Sequence, residues 1–169
     1  DTLSLHDALP IWALAEPTNY QVRANLMWAA SLALNGLIGC GVPQDWASHA
    51  IGHQLTALYG LDHGQSLAVV LPSLLRERVS QKQDKLAQFA ERVWHSTRED
   101  KALRIEEAII RTEQFFQKMG LGTRLADYGL SESCIPAVCS NLKRVGRTAL
   151  GEHQDIDPDR VARILARAL

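Results

Sequence analysis

Apolar positions recur along most of this chain with the three-to-four-residue period of an α-helix. From Thr18 or Asn19, either of which can cap a helix, apolar side chains run through Tyr20, Val22, Leu26, Met27, Ala30 and Leu34 toward Asn35-Gly36. This stretch is apolar nearly all round, as expected of a central helix. A glycine-rich link, Gly36 to Gly41, follows, and Pro43 with Asp45 opens a helix expected over residues 44–59, which Gly60 stops. A third helix begins near Gly64 and carries Leu67, Val69, Val70, Leu71, Leu74 and Leu75, with a kink expected at Pro72. Residues 84–94 and 99–119 repeat the amphipathic pattern, the second through Leu103, Ile105, Ile109, Ile110, Phe115 and Phe116. That stripe is expected to be core, and Gly120 is a natural residue to end it. Ser131 can cap a helix reaching Val145, and Asp157-Pro158 is a cap followed by proline for a last helix to Leu169. No strand-like alternation of useful length competes, so the fold class is all-α.

Bulk properties narrow the function classes. A chain of 169 residues with 46% hydrophobic content can build a real core, and it shows no internal repeat or low-complexity tract. A net charge of -1 argues against a nucleic-acid surface. No apolar run reaches the roughly 18 residues of a spanning helix, which argues against the membrane. Cys40, Cys134 and Cys139 are odd in number and lack C-x-x-C spacing, so they read as small buried hydrophobes in a reducing cytoplasm. The mixed cluster Arg98-Glu99-Asp100-Lys101 reads as a solvated helix start. His95 and His153 sit among polar loop residues and are expected to be exposed and without function.

The first eleven residues differ from the rest. They contain no basic region of a signal peptide, and their pattern does not run into the next helix. They look like the conceptual translation of a sequencing adapter, so residues 1–11 are expected to be non-native and His6 to carry no function; residues 12–169 form the domain proper.

Chemistry concentrates in Asp45-Trp46-Ala47-Ser48-His49-Ala50-Ile51-Gly52-His53 and the following turn to His63. On a helix His49 and His53 share a face, with Cβ atoms about 5–6 Å apart. The turn at Gly60 can return His63 toward them. Neutral imidazoles in such a group suit zinc, iron, copper or nickel, although an ordinary hydrogen-bonded histidine pair is the commoner meaning of this spacing. It is not the H-E-x-x-H pattern, because Gln54 follows His53. Gly52 costs about 1 kcal/mol inside a helix and is expected to make room for something packed close, while Gly64 leaves an open approach. Asp62 can orient His63 or cap the next helix. A catalytic metal usually wants three or four protein ligands, so this stretch is short of donors. The glycines of residues 36–41 do not form a dinucleotide loop after a strand.

These residues resemble the C-terminal helical domain of the iron-containing (group III) alcohol dehydrogenases, most closely the butanol dehydrogenase and NADPH-dependent aldehyde reductase branch. The resemblance rests on Arg23-Ala24-Asn25-Leu26-Met27-Trp28, Gly41-Val42-Pro43-Gln44-Asp45-Trp46, Gly52-His53 and Gly60-Leu61-Asp62-His63, and downstream on Ala90-Glu91-Arg92-Val93-Trp94, Asp127-Tyr128-Gly129-Leu130 and Leu150-Gly151-Glu152. It implies a dehydroquinate synthase-like helical bundle that is a fragment of a two-domain enzyme. It further implies that His49 and His63 are metal ligands for Fe2+ or Zn2+, and that His53 is not a ligand but a catalytic and cofactor-binding residue near the nicotinamide. The family's aspartate and first histidine ligand, with the nucleotide-binding domain, lie upstream of the matching region. The intact enzyme would interconvert aldehydes and primary alcohols with NADP(H), or NAD(H), and is open to homodimerisation; the chain by itself is expected to be inactive. A free-standing helical metal-binding or sensor module is the alternative.

Overall fold

Gln44 and Asp45 mark the division of the chain into two compact units, Asp1–Gln44 and Asp45–Leu169. The computed structural model describes residues 5–169, with side chains from Leu9 onward. Residues 1–4 and the His6 side chain of the segment expected to be non-native lie outside the described residues. The remainder of that segment falls in α1, Leu5–Ala15.

In the first unit α1 packs on α2, Tyr20–Leu34. The predicted cap is present, since Asn19 Oδ1 accepts from the Val22 N–H at 3.2 Å. The predicted central position is not. No residue of α2 is buried, and Met27 and Trp28 are 71% and 65% exposed. Two helices can cover only one side of each other, so an all-round apolar helix in a two-helix unit must leave apolar surface open. Cys40, in the same unit, is exposed as well, against expectation.

The second unit is a bundle of α3, Ala47–Tyr59; α4, His63–Glu77; α5, Val79–Arg92; α6, Lys101–Lys118; α7, Ile135–Arg144; and α8, Pro158–Ala166. Here α4 takes the central place, packing against α3, α5, α6 and α8. It runs through Pro72, which is buried, without ending. One core gathers Ile51, Leu55, Val69, Val70, Val138, Ile164 and Leu165 from α3, α4, α7 and α8. A smaller cluster of Leu86, Ala87, Ile105 and Ile109 joins α5 to α6. Phe115 and Phe116 are only half-buried and belong to neither cluster.

Most helix ends follow sequence signals. Asp100 and Asp157 accept from Leu103 N–H and Arg160 N–H, both at 2.8 Å, and cap α6 and α8. The helix expected from Asp84 starts earlier, at Val79, and Ser131 gives no cap but precedes a short 3-10 turn, Glu132–Cys134. Strand content among the described residues is confined to one bridge, Leu150 with Ile156.

Candidate functional site

The helix that carries the histidines is started by a side chain just outside it. Asp45 Oδ1 accepts from the Ala47 N–H at 2.8 Å, satisfying one of the free amides at the first turn of α3. The other oxygen of Asp45 meets Lys82 Nζ at 3.0 Å, and the same ammonium bonds Glu152. Burial alone would lower the Lys82 pKa, but these two carboxylates outweigh it and hold it above its ordinary value. This network fixes the start of α3 to α5 and to the turn after Leu150. Gly60, in the left-handed region at φ 73°, ends α3, its N–H bonding Thr56 O at 2.9 Å. Asp62 then caps α4 in a capping box, its N–H donating to Gln65 Oε1 at 2.8 Å. Of the two roles open to Asp62, the structure realises the cap.

Gly52 decides how closely the two helices approach. A Cβ built there would lie 2.9 Å from Ser66 Oγ of α4, and the Ser66 hydroxyl donates to His63 O at 2.9 Å. The space expected beside Gly52 is therefore filled by the neighbouring helix. Gly64 has nothing within 4 Å of its would-be Cβ, leaving the approach beside His63 open.

The result is a cluster of all three imidazoles. Ring centroids are 5.2 Å apart for His49 and His63, 5.5 Å for His53 and His63, and 6.3 Å for His49 and His53. Trp46 stands edge-on to His49 at 4.8 Å, a neighbour that the sequence pattern did not single out. His53 and His63 are exposed and His49 is half-buried. His49 Nδ1 is fully covered and has no hydrogen-bond partner. Burial first, then the proximity of His63 and His53, lowers the His49 pKa, so its ring is neutral near pH 7 and keeps a lone pair. A neutral imidazole with an unsatisfied nitrogen, 5.2 Å from a second exposed imidazole, fits a metal ligand set. Among the described residues no three His, Cys, Asp or Glu side chains converge to hold an ion. His95 and His153 lie exposed in loops, as expected. Cys134 is buried and Cys139 half-buried, with burial pushing both thiols up and away from the reactive thiolate form.

Comparison with known proteins accords with this arrangement. Residues 9–169 match the Fe-containing alcohol dehydrogenase family, C-terminal. The chain is 55% identical over 156 residues to the NADPH-dependent aldehyde reductase YqhD of Escherichia coli (strain K12), covering 92% of this chain and 40% of that protein. It is 31% identical over 162 residues to NADH-dependent butanol dehydrogenase B of Clostridium acetobutylicum, covering 93% and 41%. The crystal structure of E. coli K-12 YqhD superposes with a TM-score of 0.94 at 53% identity, covering 98% of this chain and 42% of that one. NADH-dependent butanol dehydrogenase A of Thermotoga maritima gives 0.91 at 27% identity, covering 97% and 43%. The chain thus spans about two fifths of the length of the relatives it matches. A helical bundle with clustered imidazoles on facing helices, matched at this identity over nearly its whole length, belongs to the Fe-containing alcohol dehydrogenase family and corresponds to its C-terminal part.

Proposed function

We propose that residues 12–169 are the metal-binding helical part of a cytoplasmic nicotinamide-dependent enzyme that interconverts aldehydes and primary alcohols. NADP(H) is the preferred cofactor, following the NADPH dependence of the relative at 55% identity, with NAD(H) the alternative. In this reading His49 and His63 supply two ligands to a divalent metal, Fe2+ or Zn2+. The observation that carries it is the His49–His63 pair, 5.2 Å apart across α3 and α4, with a covered and unsatisfied nitrogen on His49.

When bound, the metal supplies Lewis-acid polarisation of the substrate carbonyl. The chain's own residues do the rest. α3 and α4, held together at Gly52 and Ser66, fix the two imidazoles against each other before any ligand arrives, so little ordering is left for binding. His53 lies 5.5 Å from His63 yet is turned to solvent, which suits it to hold a proton at a ring nitrogen and pass it to the substrate oxygen as hydride reaches the carbon. The nicotinamide would lie on this same open side, next to His53.

Two measurements test the reading. Titration of the chain with Co2+ should show weak binding that His49→Ala and His63→Ala each reduce about ten-fold, the 1.4 kcal/mol scale of one lost contact, while His53→Ala leaves it within a factor of two. An equal loss with His53→Ala would overturn the ligand assignment; tight stoichiometric binding would favour a free-standing metal module. The chain should not oxidise NADPH with butanal and added Fe2+ or Zn2+, and turnover above the metal-only blank would refute the fragment reading.

A further inference from the structure

The groove between α4 and α5 lies well away from the histidines. Leu71 is on α4, whose first residue is His63, and eight residues of helix place it about 12 Å further along at 1.5 Å each. The groove encloses about 450 Å³, within the size range of small-molecule sites. Its floor is apolar: Leu71 and Leu75 from α4, Phe89 from α5 and Val93 just after α5 line it, and all four stay partly accessible. The same face of α5 brings Lys85 and Arg92 to the mouth. No carboxylate lines the groove.

The charges at the mouth are not equivalent. Lys82 is already neutralised by Asp45 and Glu152. Among the described residues Lys85 bonds a neutral partner, Gln88 Oε1 at 2.9 Å, and neither Lys85 nor Arg92 has an ion-pair partner. Two uncompensated cations therefore border an apolar floor. A neutral hydrocarbon would leave both cations unused, and a soluble anion without a tail would leave the floor wet. The ligand that satisfies both is an amphipathic anion, and the planar fork of Arg92 favours a carboxylate, which it can bind bidentately.

We infer that the α4–α5 groove is a binding site for a free alkyl carboxylate, with the chain laid on Leu71, Leu75, Phe89 and Val93 and the head group held by Lys85 and Arg92. A tail of about ten carbons is well within a site of this size. The site stands independently of the metal chemistry proposed for the histidines.

The test is calorimetric titration of the whole chain with decanoate below its micelle concentration, with 1-decanol as the uncharged comparison. Saturable one-to-one binding is expected, at least ten-fold tighter for decanoate than for decanol. Arg92→Glu and Lys85→Glu alter exposed side chains and should leave the thermal midpoint in place. Each should weaken decanoate at least ten-fold and leave decanol within a factor of two. Absence of saturable binding, equal affinity for the two probes, or indifference to Arg92→Glu would overturn the proposal. So would sedimentation showing that a second copy of the chain covers this face, with Arg92→Glu dissolving the dimer and no decanoate bound.

Discussion

At Gly52 a hydrogen atom in place of a methyl group sets the distance between the two helices that carry the histidines. A methyl there would meet Ser66 Oγ at 2.9 Å, and both residues are buried, so neither can swing away. Overpacking of this kind costs about 1–3 kcal/mol, against about 1 kcal/mol regained from helix propensity. Gly52→Ala should therefore destabilise the chain by about 1 kcal/mol in urea unfolding, and Ser66→Ala in the same molecule should restore most of it. Non-additivity of the pair is the signature of contact. Trp46 offers a second probe at this scale. Its ring lies 4.8 Å from His49, so a quenching ion such as Ni2+ or Co2+ held by His49 should dim its fluorescence. Trp46→Phe should remove most of the quenchable signal, and His49→Ala should abolish quenching with Trp46 in place; quenching that survives both changes would place the ion elsewhere. The histidines themselves were legible from their spacing. The Trp46 contact and the filling of Gly52 by Ser66 were not, because they depend on how α3 meets α4, and a periodic pattern carries no information on which neighbour fills a gap.

Among the elements, the last helix shows how much a cap conveys. Asp157-Pro158 announces α8, and Asp157 does accept from Arg160 N–H at 2.8 Å. What holds α8 to the rest is less visible in sequence. Arg78, at the junction of α4 and α5, is 0% exposed and makes a bidentate pair with Asp155, both bonds 2.8 Å, just before α8 begins. An arginine between two helices reads as surface in any hydropathy pattern, and only its distant partner explains its burial. Removing that partner strands a buried guanidinium, a loss that typically costs 3–5 kcal/mol. Asp155 is itself 41% exposed, so water can reach part of the gap, and Asp155→Ala should cost about 3 kcal/mol, at the low end. Replacing Arg78 by Met as well should recover part of it. The expectation for α2 failed for the opposite reason. Its apolar pattern is real, but a pattern states only that a face can be buried, and α1 alone does not bury it.

Across the whole molecule, the response to acid follows from which carboxylates are paired. The Arg78 guanidinium bonded to Asp155, then burial working against it, leaves that carboxyl below its ordinary pKa. Burial pulls Glu77 upward, but bonds from Arg163 at 2.9 Å and Arg167 at 3.0 Å outweigh it and hold it low, tying α4 to α8. The Ser96 hydroxyl, with Arg111 and Arg98 behind it, does the same for Glu107, joining α6 to the loop after α5. Each group releases its proton more readily folded than unfolded, so each stabilises the fold above the unfolded carboxylate pKa of about 4. That contribution drains away as the pH falls from there through the lowered folded values. Urea unfolding followed at pH 7, 5, 4 and 3 should show a steep loss of stability below about pH 4.5 with a constant denaturant slope. Glu77→Gln and Asp155→Asn should each begin less stable at pH 7 and lose less on acidification, so that their curves draw closer to the parent's as the pH falls toward 3. Curves that run parallel to the parent down to pH 3 would mean that these pairs contribute nothing the unfolded chain lacks. Salt separates the two pairs further, because Arg163 and Arg167 are half-exposed whereas Arg78 is fully buried. One molar salt should erase much of the Glu77 effect by screening and leave the Asp155 effect largely intact.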